Sequence, residues 1–302
     1  MNPWAPLIAA TVGWGASAVL NRAAILRGLD SWTIVPLRMV FAMITLGLVI
    51  ALSGRFKSAS KAAWWRGAIL GVVGMALPML LMTLGLEDIP VSLGGLLIAL
   101  IPIATIGAAH FIVEDEKFRA KALPGLILAL LGSAFVVGVG GETVEGVDNL
   151  WRGVLFTIAG VAMAGLAGAL SRKYALEVPG EELVLPQFTT NTLLLFAVVP
   201  FTFGMDIDAV DGGSWLLLIG VGAIGTTLAF GSFLVAAAMN PARRLALTGY
   251  SVPVVAVTLA IIFLGETLTL AVATGAVLII TGVILTERAS THIPAPGVAT
   301  SR

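Results

Sequence analysis

Apolar residues occur in long runs along almost the whole chain, and short polar segments separate these runs. Examples of the polar segments are RFKSASKAAWWR from Arg55, EDEKFRAK from Glu114 and DIDAVDGG from Asp206. A helix needs about 20 apolar residues to cross the hydrocarbon core of a bilayer. The pattern predicts ten such helices, at residues 4–25, 33–52, 66–86, 91–112, 121–140, 152–172, 183–203, 214–238, 242–263 and 268–286.

The composition supports this interpretation. Of the 302 residues, 58% are hydrophobic and only 11% are charged, whereas soluble proteins carry about 25% charged residues. The connections between the runs are too short for a second, soluble domain. The expected fold class is therefore an all-α integral membrane protein. The first run is expected to stay in the mature protein, because no basic segment precedes it as in a secretory signal peptide.

The basic residues predict the orientation in the membrane, because Lys and Arg are enriched in cytoplasmic connections. If the N-terminus is inside, thirteen of the seventeen basic residues are cytoplasmic. They are Arg55, Lys57, Lys61, Arg66, Lys117, Arg119, Lys121, Arg172, Lys173, Arg243, Arg244, Arg288 and Arg302. Both termini are therefore predicted to be cytoplasmic. The Pro-containing tail, residues 289–302, is expected to be disordered.

The chain also contains an internal repeat. A shift of 150 or 151 residues brings Gly, Pro and Arg residues into register: Gly15/Gly165, Arg22/Arg172, Pro36/Pro186, Gly71/Gly222, Gly74/Gly225, Pro90/Pro241, Pro102/Pro253, Gly125/Gly275 and Gly132/Gly282. Each half, 1–147 and 148–288, contains five predicted helices, and this odd number reverses the second copy. The repeat thus predicts two inverted five-helix units around a central cavity, which is typical of secondary transporters.

Other classes of function lack their usual residues. The chain has no HExxH pair, no Walker A motif and no recognisable nucleophile with its base, so neither an enzyme nor an ATP-driven pump with an ATPase subunit is expected. It has no cysteine, and only His110 and His292 could offer imidazole, so no metal or other cofactor is expected. A passive channel would need a more continuous polar face. The expected partners are a small-molecule substrate and the lipid bilayer, and no nucleic acid.

Several motifs resemble those of the drug/metabolite transporter superfamily, in particular its ten-helix EamA-type exporters. Trp14-Gly15 and the second-helix segment with Pro36 and Arg38 are similar to the opening of that family. The run from Val252 to Val283, with Glu266 in LGE, is similar to its closing pattern. The first half has VEDE at the corresponding place, so that Glu114 and Glu116 both remain possible counterparts of Glu266.

A further resemblance, which includes RKYA from Arg172, is to the YddG-type amino acid exporters. It implies a bacterial inner-membrane carrier that moves amino acids or related metabolites outward, with helices 1, 3, 4, 6, 8 and 9 around the cavity. A proton-coupled drug or metabolite exporter is the alternative. Proton relays commonly use intramembrane Asp, Glu or His. Because every acid here falls at a helix end or in a loop, facilitative uniport or exchange is the expectation.

Polar, aromatic and methionine residues near midspan are candidates for the cavity. An amino acid needs polar partners for its charged ends and an adaptable apolar wall for its side chain. The candidates are Trp14, Ser17, Pro78, Met79, Met82, Pro102, Met163, Thr226, Phe230, Tyr250 and Ser251. A midspan Ser or Thr can instead bond to its own helix. Tyr250 is the favoured single contact, because a buried phenol requires a hydrogen-bond partner.

Two further sets of residues are ambiguous. Pro102 and Pro253 are expected to kink their helices at equivalent places in the two halves, either as gating points or as static features. Arg38 has no neighbouring acid in the sequence and is a functional candidate by default, although its long side chain could also reach the surface. Gln187 and Asn191 in the seventh helix carry the same ambiguity.

Overall fold

The chain folds into helices only, in the part of it that the computed structural model describes, residues 2–54, 58–113, 120–140, 149–240 and 242–290. We number the helices by predicted span. They are α1 Trp4–Leu26, α2 Ser31–Ser53, α3 Lys61–Asp88, α4 Val91–Ile112, α5 Leu123–Phe135 with its continuation Val136–Gly140, α6 Leu150–Ala175, α7 Gly180–Thr202, α8 at residues 212–239, α9 Ala242–Leu264 and α10 Leu270–Ser290. All ten lie where a span was predicted, which confirms the fold class. Glu114, Glu116, Pro241 and residues 291–302 of the tail lie outside the described residues.

Nine of these helices, α2 to α10, are long and apolar enough to cross a membrane, counted over the described ranges. The remaining helix, α1, has 23 residues and so has the necessary length. Its apolar residues are interrupted by Trp14, Ser17, Asn21 and Arg22, which lower its mean hydropathy. Helix α1 is thus the one of these ten that falls short of this apolarity over the described ranges, and it carries several of the candidate residues.

The short polar connections supply the caps that begin the helices. Asp30 accepts a hydrogen bond from the Thr33 backbone N–H at 2.7 Å, and Asp211 accepts one from the Ser214 N–H at 2.7 Å. Such caps satisfy N–H groups that have no partner within the first turn. The polar segments therefore do more than separate the spans, because they also fix where α2 and α8 begin.

Helix packing follows the internal repeat. Helix α1 packs against α8 and α9, and its counterpart α6 packs against α3 and α4. In the same way α2 packs against α8, and α7 against α3. The pairs α2–α7, α4–α9 and α5–α10 each join a helix to its own counterpart. Exchanging the two halves therefore reproduces these pairings, as expected for inverted repeats.

Four of the glycines paired by the repeat meet in a single interface between α5 and α10. A β-carbon built at Gly125 would lie 2.6 Å from the Gly282 carbonyl oxygen, and one at Gly275 would lie 3.2 Å from the Gly132 carbonyl oxygen. These two contacts exchange when the halves are swapped. Small residues allow membrane helices to approach this closely, which explains why these positions hold glycine in both halves.

The equivalent helices α4 and α9 differ in shape. Helix α4 consists of Val91–Ile98 and Ile101–Ile112, with a break at Ala99 and Leu100 just before Pro102. Helix α9 runs without a break from Ala242 to Leu264, with Pro253 inside it. The sequence predicts matching kinks at the two prolines. The structure has an interruption before Pro102 in α4 and a continuous helix around Pro253 in α9.

Candidate functional site

Arg38 lies about two turns into α2, and its side chain is only 4% exposed. Its guanidinium donates hydrogen bonds to Ser17 Oγ at 3.2 Å and Asn21 Oδ1 at 3.4 Å on α1, and to Thr226 Oγ1 at 2.9 Å on α8. It forms no salt bridge with a described carboxylate, and its Nε has no hydrogen-bond partner among the described residues. The charge therefore stays inside the bundle, on neutral partners, and does not reach the surface.

Glycines in α8 bring these side chains together. A β-carbon at Gly225 would lie 2.8 Å from Ser17 Cβ, and one at Gly222 would collide with the Arg38 carbonyl oxygen. Helix α8 therefore packs directly on α1 and α2 at this level. Ser17 and Asn21 are four residues apart on α1, so both point to the same side of that helix.

A π-helical turn, Ala223–Leu228, shapes α8 at this site. The hydroxyl of Thr226 donates to the Val221 carbonyl at 2.9 Å, so its oxygen is free to accept from Arg38. The hydroxyl of Thr227 donates to the Ala42 carbonyl of α2 at 2.6 Å. A second π-helical turn occurs at the equivalent place in α3, Val72–Ala76. Such turns are frequent at functional sites.

The corresponding place in the other half involves Gln187 and Asn191 of α7. A β-carbon at Gly71 of α3 would lie 2.6 Å from the Gln187 carbonyl oxygen and 3.3 Å from the Asn191 nitrogen. The Asn191 side chain is 0% exposed, and neither atom of its amide group has a hydrogen-bond partner among the described residues. An unsatisfied buried polar group of this kind costs about 1–3 kcal/mol.

The charge itself has no counterpart in the second half. The repeat pairs Ser17 with Ala167 and Thr226 with Met75, both of which are apolar. Gly225 faces Ser17, and in the same way Gly74 faces Ala167. A β-carbon built at Gly74 would lie 2.9 Å from Ala167 Cβ. The backbone arrangement is thus repeated, whereas the guanidinium and the hydroxyl groups that it contacts occur on one side only, and the other side has the amide groups of Gln187 and Asn191.

Methionines and aromatic rings form an apolar cluster between α2, α3, α7 and α8, beside the Arg38 site. Its buried members include Met39, Met75 and Phe188, and Met79 and Phe230 pack against them. The rings of Phe188 and Phe230 meet edge to face, with centroids 5.9 Å apart. Methionine side chains adapt readily to different shapes, so this cluster is suited to an apolar group.

The other candidate residues lie elsewhere in the bundle. Trp14 of α1 pairs with Phe233 of α8, with ring centroids 5.2 Å apart. Pro78 and Met82 of α3 lie against Gly160 of α6, where a built β-carbon would meet Met82 Cγ at 2.7 Å.

Of the remaining candidates, Met163 is partly buried on α6, and Tyr250 and Ser251 are partly buried on α9. Tyr250 packs against the apolar core that α4, α5, α6 and α10 share. Pro102 Cγ lies 3.4 Å from a β-carbon built at Gly249. The described contacts join Ser17 and Thr226 to Arg38, and place Met79 and Phe230 against the same apolar cluster, but they do not join Tyr250 to either group.

Polar contacts also gather at one end of the bundle, which we call the Glu266 face. Helix α9 ends at Leu264, Gly265 adopts a left-handed φ of 69°, and the Glu266 carboxylate then accepts from the Val91 N–H at 2.7 Å and the Ser92 N–H at 2.8 Å. It thereby caps the first turn of α4. The LGE motif is explained by this geometry, because only glycine adopts such a φ without strain.

The α3–α4 turn collects three more contacts on the Glu266 face. Asp88 accepts two hydrogen bonds from Arg152, at 2.6 and 2.7 Å. Arg22 donates to the backbone carbonyls of Leu86 and Glu87, and the Glu87 carboxylate accepts from the Ser31 N–H at 2.7 Å. This turn is therefore tied to α1, α2, α6 and the α9–α10 connection.

A groove of about 300 Å³ opens between α4, α5 and α6. Its lining is apolar apart from Ser133, which donates to the Ala129 carbonyl of its own helix, and it includes Leu97, Trp151 and Val154. None of the candidate cavity residues lines it. Within the described ranges, no group of three or more His, Asp or Glu side chains is placed to hold a metal ion.

Sequence reasoning missed two features of the site. Asn21 is part of the Arg38 site, and its spacing of four residues from Ser17 in an otherwise apolar span is the signal that could have revealed it. The capping role of Glu266 was also missed, because it depends on a contact with residues about 175 positions earlier in the chain. No local pattern encodes that contact.

Comparisons with known proteins agree with this architecture. The model of the EamA-like transporter family matches the chain twice, at residues 4–138 and 151–288. No curated protein matches. Seventeen chains of solved structures match. One, described as "Crystal structure of protein", has 19% sequence identity and a TM-score of 0.63 and covers 94% of this chain and 99% of its own, which shows a shared fold.

Proposed function

Because the chain belongs to the EamA-like transporter family, we propose that it is a secondary carrier that exports amino acids or related small metabolites. It works by alternating access in a bacterial inner membrane, with both termini in the cytoplasm and the Glu266 face outside. The observation that carries the proposal is the Arg38 site, where polar groups of α1 and α2 meet α8 of the other repeat inside the bundle. Substrate sites of secondary transporters lie at such repeat interfaces.

The chemistry around Arg38 suits a small polar metabolite with an apolar part. Ser17, Asn21, Arg38 and Thr226 supply hydrogen-bonding groups. The neighbouring cluster of methionines and phenylalanines supplies an adaptable wall. These polar groups and this apolar wall can bind a substrate without a reacting nucleophile. They therefore favour a carrier over a membrane-embedded enzyme.

We propose facilitative uniport or exchange as the mode of coupling. The contacts of Glu87, Asp88 and Glu266 are all at the Glu266 face, at the ends of helices, where they hold backbone N–H groups or Arg152. These carboxylates are engaged in structural contacts and are poorly placed for a proton relay across the membrane. Proton-coupled export of a drug or metabolite remains the competing mode, and transport under an imposed pH gradient separates the two.

The decisive experiment is counterflow in proteoliposomes. Vesicles containing the purified protein are loaded with one unlabelled amino acid at a time, and the uptake of a trace of the same labelled amino acid is followed. A carrier shows a transient, saturable overshoot. Uptake proportional to concentration without an overshoot would identify a channel, and conversion of the labelled compound would identify an enzyme.

A parallel set of vesicles tests coupling. With a pH gradient and no substrate gradient, a uniporter or exchanger shows no accumulation. Accumulation that collapses when a protonophore is added would contradict facilitative transport and support proton coupling. Protein-free vesicles provide the control in both experiments.

A further inference from the structure

We propose that Arg38 binds the carboxylate group of the substrate, and that the substrate class is therefore organic acids with one carboxylate and an apolar body, amino acids included. This inference rests on the proposed carrier function and adds to it the chemical group that is recognised. It follows from four observations on the described residues: the unbalanced charge, the unused donors, the origin of the three hydrogen bonds and the asymmetry of the repeat.

The charge on Arg38 lacks an anionic partner. Guanidinium remains protonated in proteins, and an ionised group buried without a counter-charge is costly. All three hydrogen-bond acceptors around Arg38 are neutral oxygens. A bound anion would supply the missing charge, at a depth where none of the described carboxylates forms an ion pair with Arg38.

The guanidinium also has hydrogen-bonding capacity in reserve. It carries five N–H donors, and the described contacts use three. The longest of these, to Asn21, is 3.4 Å, and the Nε donor has no partner among the described residues. A carboxylate has two oxygens and binds a guanidinium through paired, charge-assisted hydrogen bonds. It therefore matches both the charge and the free donors.

Only one of the three hydrogen bonds crosses between the repeats. Ser17 and Asn21 belong to the first repeat, as Arg38 does, whereas Thr226 belongs to the second. In alternating access one repeat moves against the other, which separates Thr226 from Arg38. The Thr226 hydroxyl thus occupies, in this structure, the place that a substrate carboxylate takes when α8 moves away.

The asymmetry of the repeat gives the substrate a direction. The counterparts of Ser17 and Thr226 are Ala167 and Met75, so the hydroxyl groups that meet Arg38 occur on one side of the site, and the other side offers the uncharged amides of Gln187 and Asn191. Met75 belongs to the apolar cluster with Met39, which follows Arg38 in α2. The carboxylate therefore points toward α1 and α2, and the apolar part of the substrate lies against the methionines.

Competition tests the inference in the unmodified protein. The amino acid with the fastest counterflow is compared with two analogues, its decarboxylated amine and its deaminated acid. Because a buried polar site strongly rejects ligands that lack the group it binds, the amine should compete about 100-fold more weakly than the acid. The same three compounds are tested for thermal stabilisation of the detergent-solubilised protein, a readout that does not require transport.

Variants then assign the discrimination to Arg38. Arg38→Met should abolish the preference for the acid over the amine, and Arg38→Lys should retain part of it. Arg22→Met is the matched control, since Arg22 is also buried but donates to the carbonyls of Leu86 and Glu87. It should leave the acid-to-amine ratio unchanged, even if the protein becomes less stable.

The outcomes separate the two proposals. Saturable counterflow combined with equal competition by acid and amine would overturn the role of Arg38 and leave the carrier function intact. A second outcome is that no amino acid shows counterflow, but carboxylic acids stabilise the protein and Arg38→Met removes this stabilisation. That outcome would overturn amino acid transport and support the anion site. If no carboxylic acid raises the melting temperature of the unmodified protein, the anion site is wrong.

Discussion

Asp88 and Arg152 form a two-point ion pair in which the carboxylate is buried and the guanidinium is not. The side chain of Asp88 is 1% exposed and that of Arg152 is 56% exposed, with N–O distances of 2.6 and 2.7 Å. The pair joins the last residue of α3 to the first turn of α6, and so connects the two repeats at the Glu266 face. Its unequal burial makes the two partners unequal in their contribution to stability.

Removing Arg152 should therefore be more harmful than neutralising Asp88. Arg152→Gln leaves a buried carboxylate without its cation and is expected to lower the free energy of unfolding by about 3 kcal/mol. Asp88→Asn leaves a guanidinium that water can reach, and should cost about 1 kcal/mol. Thermal unfolding in detergent measures both. Equal losses would show that the buried carboxylate gains little from its partner.

The cap that Glu266 forms on α4 predicts a second stability effect. Glu266→Ala removes the acceptor for two N–H groups and should cost about 1–2 kcal/mol. Gly265→Ala, which keeps the carboxylate but strains the left-handed turn, should cost about 1–2 kcal/mol. Hydrogen exchange at Val91 and Ser92 is the specific readout, because both amides should exchange faster in either variant. Unchanged exchange in Glu266→Ala would contradict the cap.

Close helix packing at Gly222 predicts that a single added methyl group disturbs the Arg38 site. Gly222→Ala pushes α8 away from the Arg38 carbonyl oxygen, and overpacking of this kind costs about 1–3 kcal/mol. The matched control is Gly231→Ala in the same helix, where nothing in the described residues beyond the adjacent backbone of that helix lies within 4 Å of an added β-carbon. The control should be neutral or stabilising. Melting temperature and counterflow rate compare the two, and similar behaviour would argue against tight packing here.

Asp211 predicts a loss of stability at acid pH. The side chain and backbone N–H of Ser214, with Arg27 3.1 Å away, hold the pKa of Asp211 below its ordinary value in the folded protein. Its stabilising effect is thus complete above the pKa of the unfolded chain and is lost as the pH falls through the lower, folded value. Asp211→Asn keeps a capping side chain but should flatten the acid limb of a plot of melting temperature against pH. An identical acid limb would show that Asp211 makes no contribution.

Tyr250 remains the favoured contact on α9, and a pair of variants tests it. Tyr250→Ala should weaken transport and leave expression unchanged, because it removes the phenol and part of the packing against the core that α4, α5, α6 and α10 share. Tyr250→Phe removes the hydroxyl alone and shows whether hydrogen bonding or shape matters. Unchanged kinetics in Tyr250→Ala would remove this residue from the site.

Much of the fold follows from patterns that are local in the sequence. Apolar runs of sufficient length predict every helix, and the pairing of glycines such as Gly125 and Gly275 predicts the inverted halves. Gly71 and Gly222, which the repeat pairs, allow the close approach of α3 and α8 to their neighbours that the structure shows. These features depend on the length of the apolar runs and on residue volume, both of which can be read from the sequence alone.

The site is less accessible to sequence reasoning, because it depends on which side chains meet. Arg38 was recognised as exceptional, but its acceptors on α1 and α8 emerge only from helix packing. Asn191 gave no local signal of a buried amide without a partner. The π-helical turns in α3 and α8 were also not predicted, since a change of one residue in helical register leaves no mark on hydropathy.

The residues before the two prolines correspond in the repeat. Ala99-Leu100 precede Pro102 in the interrupted α4, and Tyr250-Ser251 precede Pro253 in the continuous α9. One molecule thus displays an interrupted and a continuous form of the same element at the same time. Where two packings differ by only a few kcal/mol, surrounding contacts decide between them. A continuous α4 together with an interrupted α9 would be the same architecture turned over in the membrane, and it would need no new type of backbone conformation.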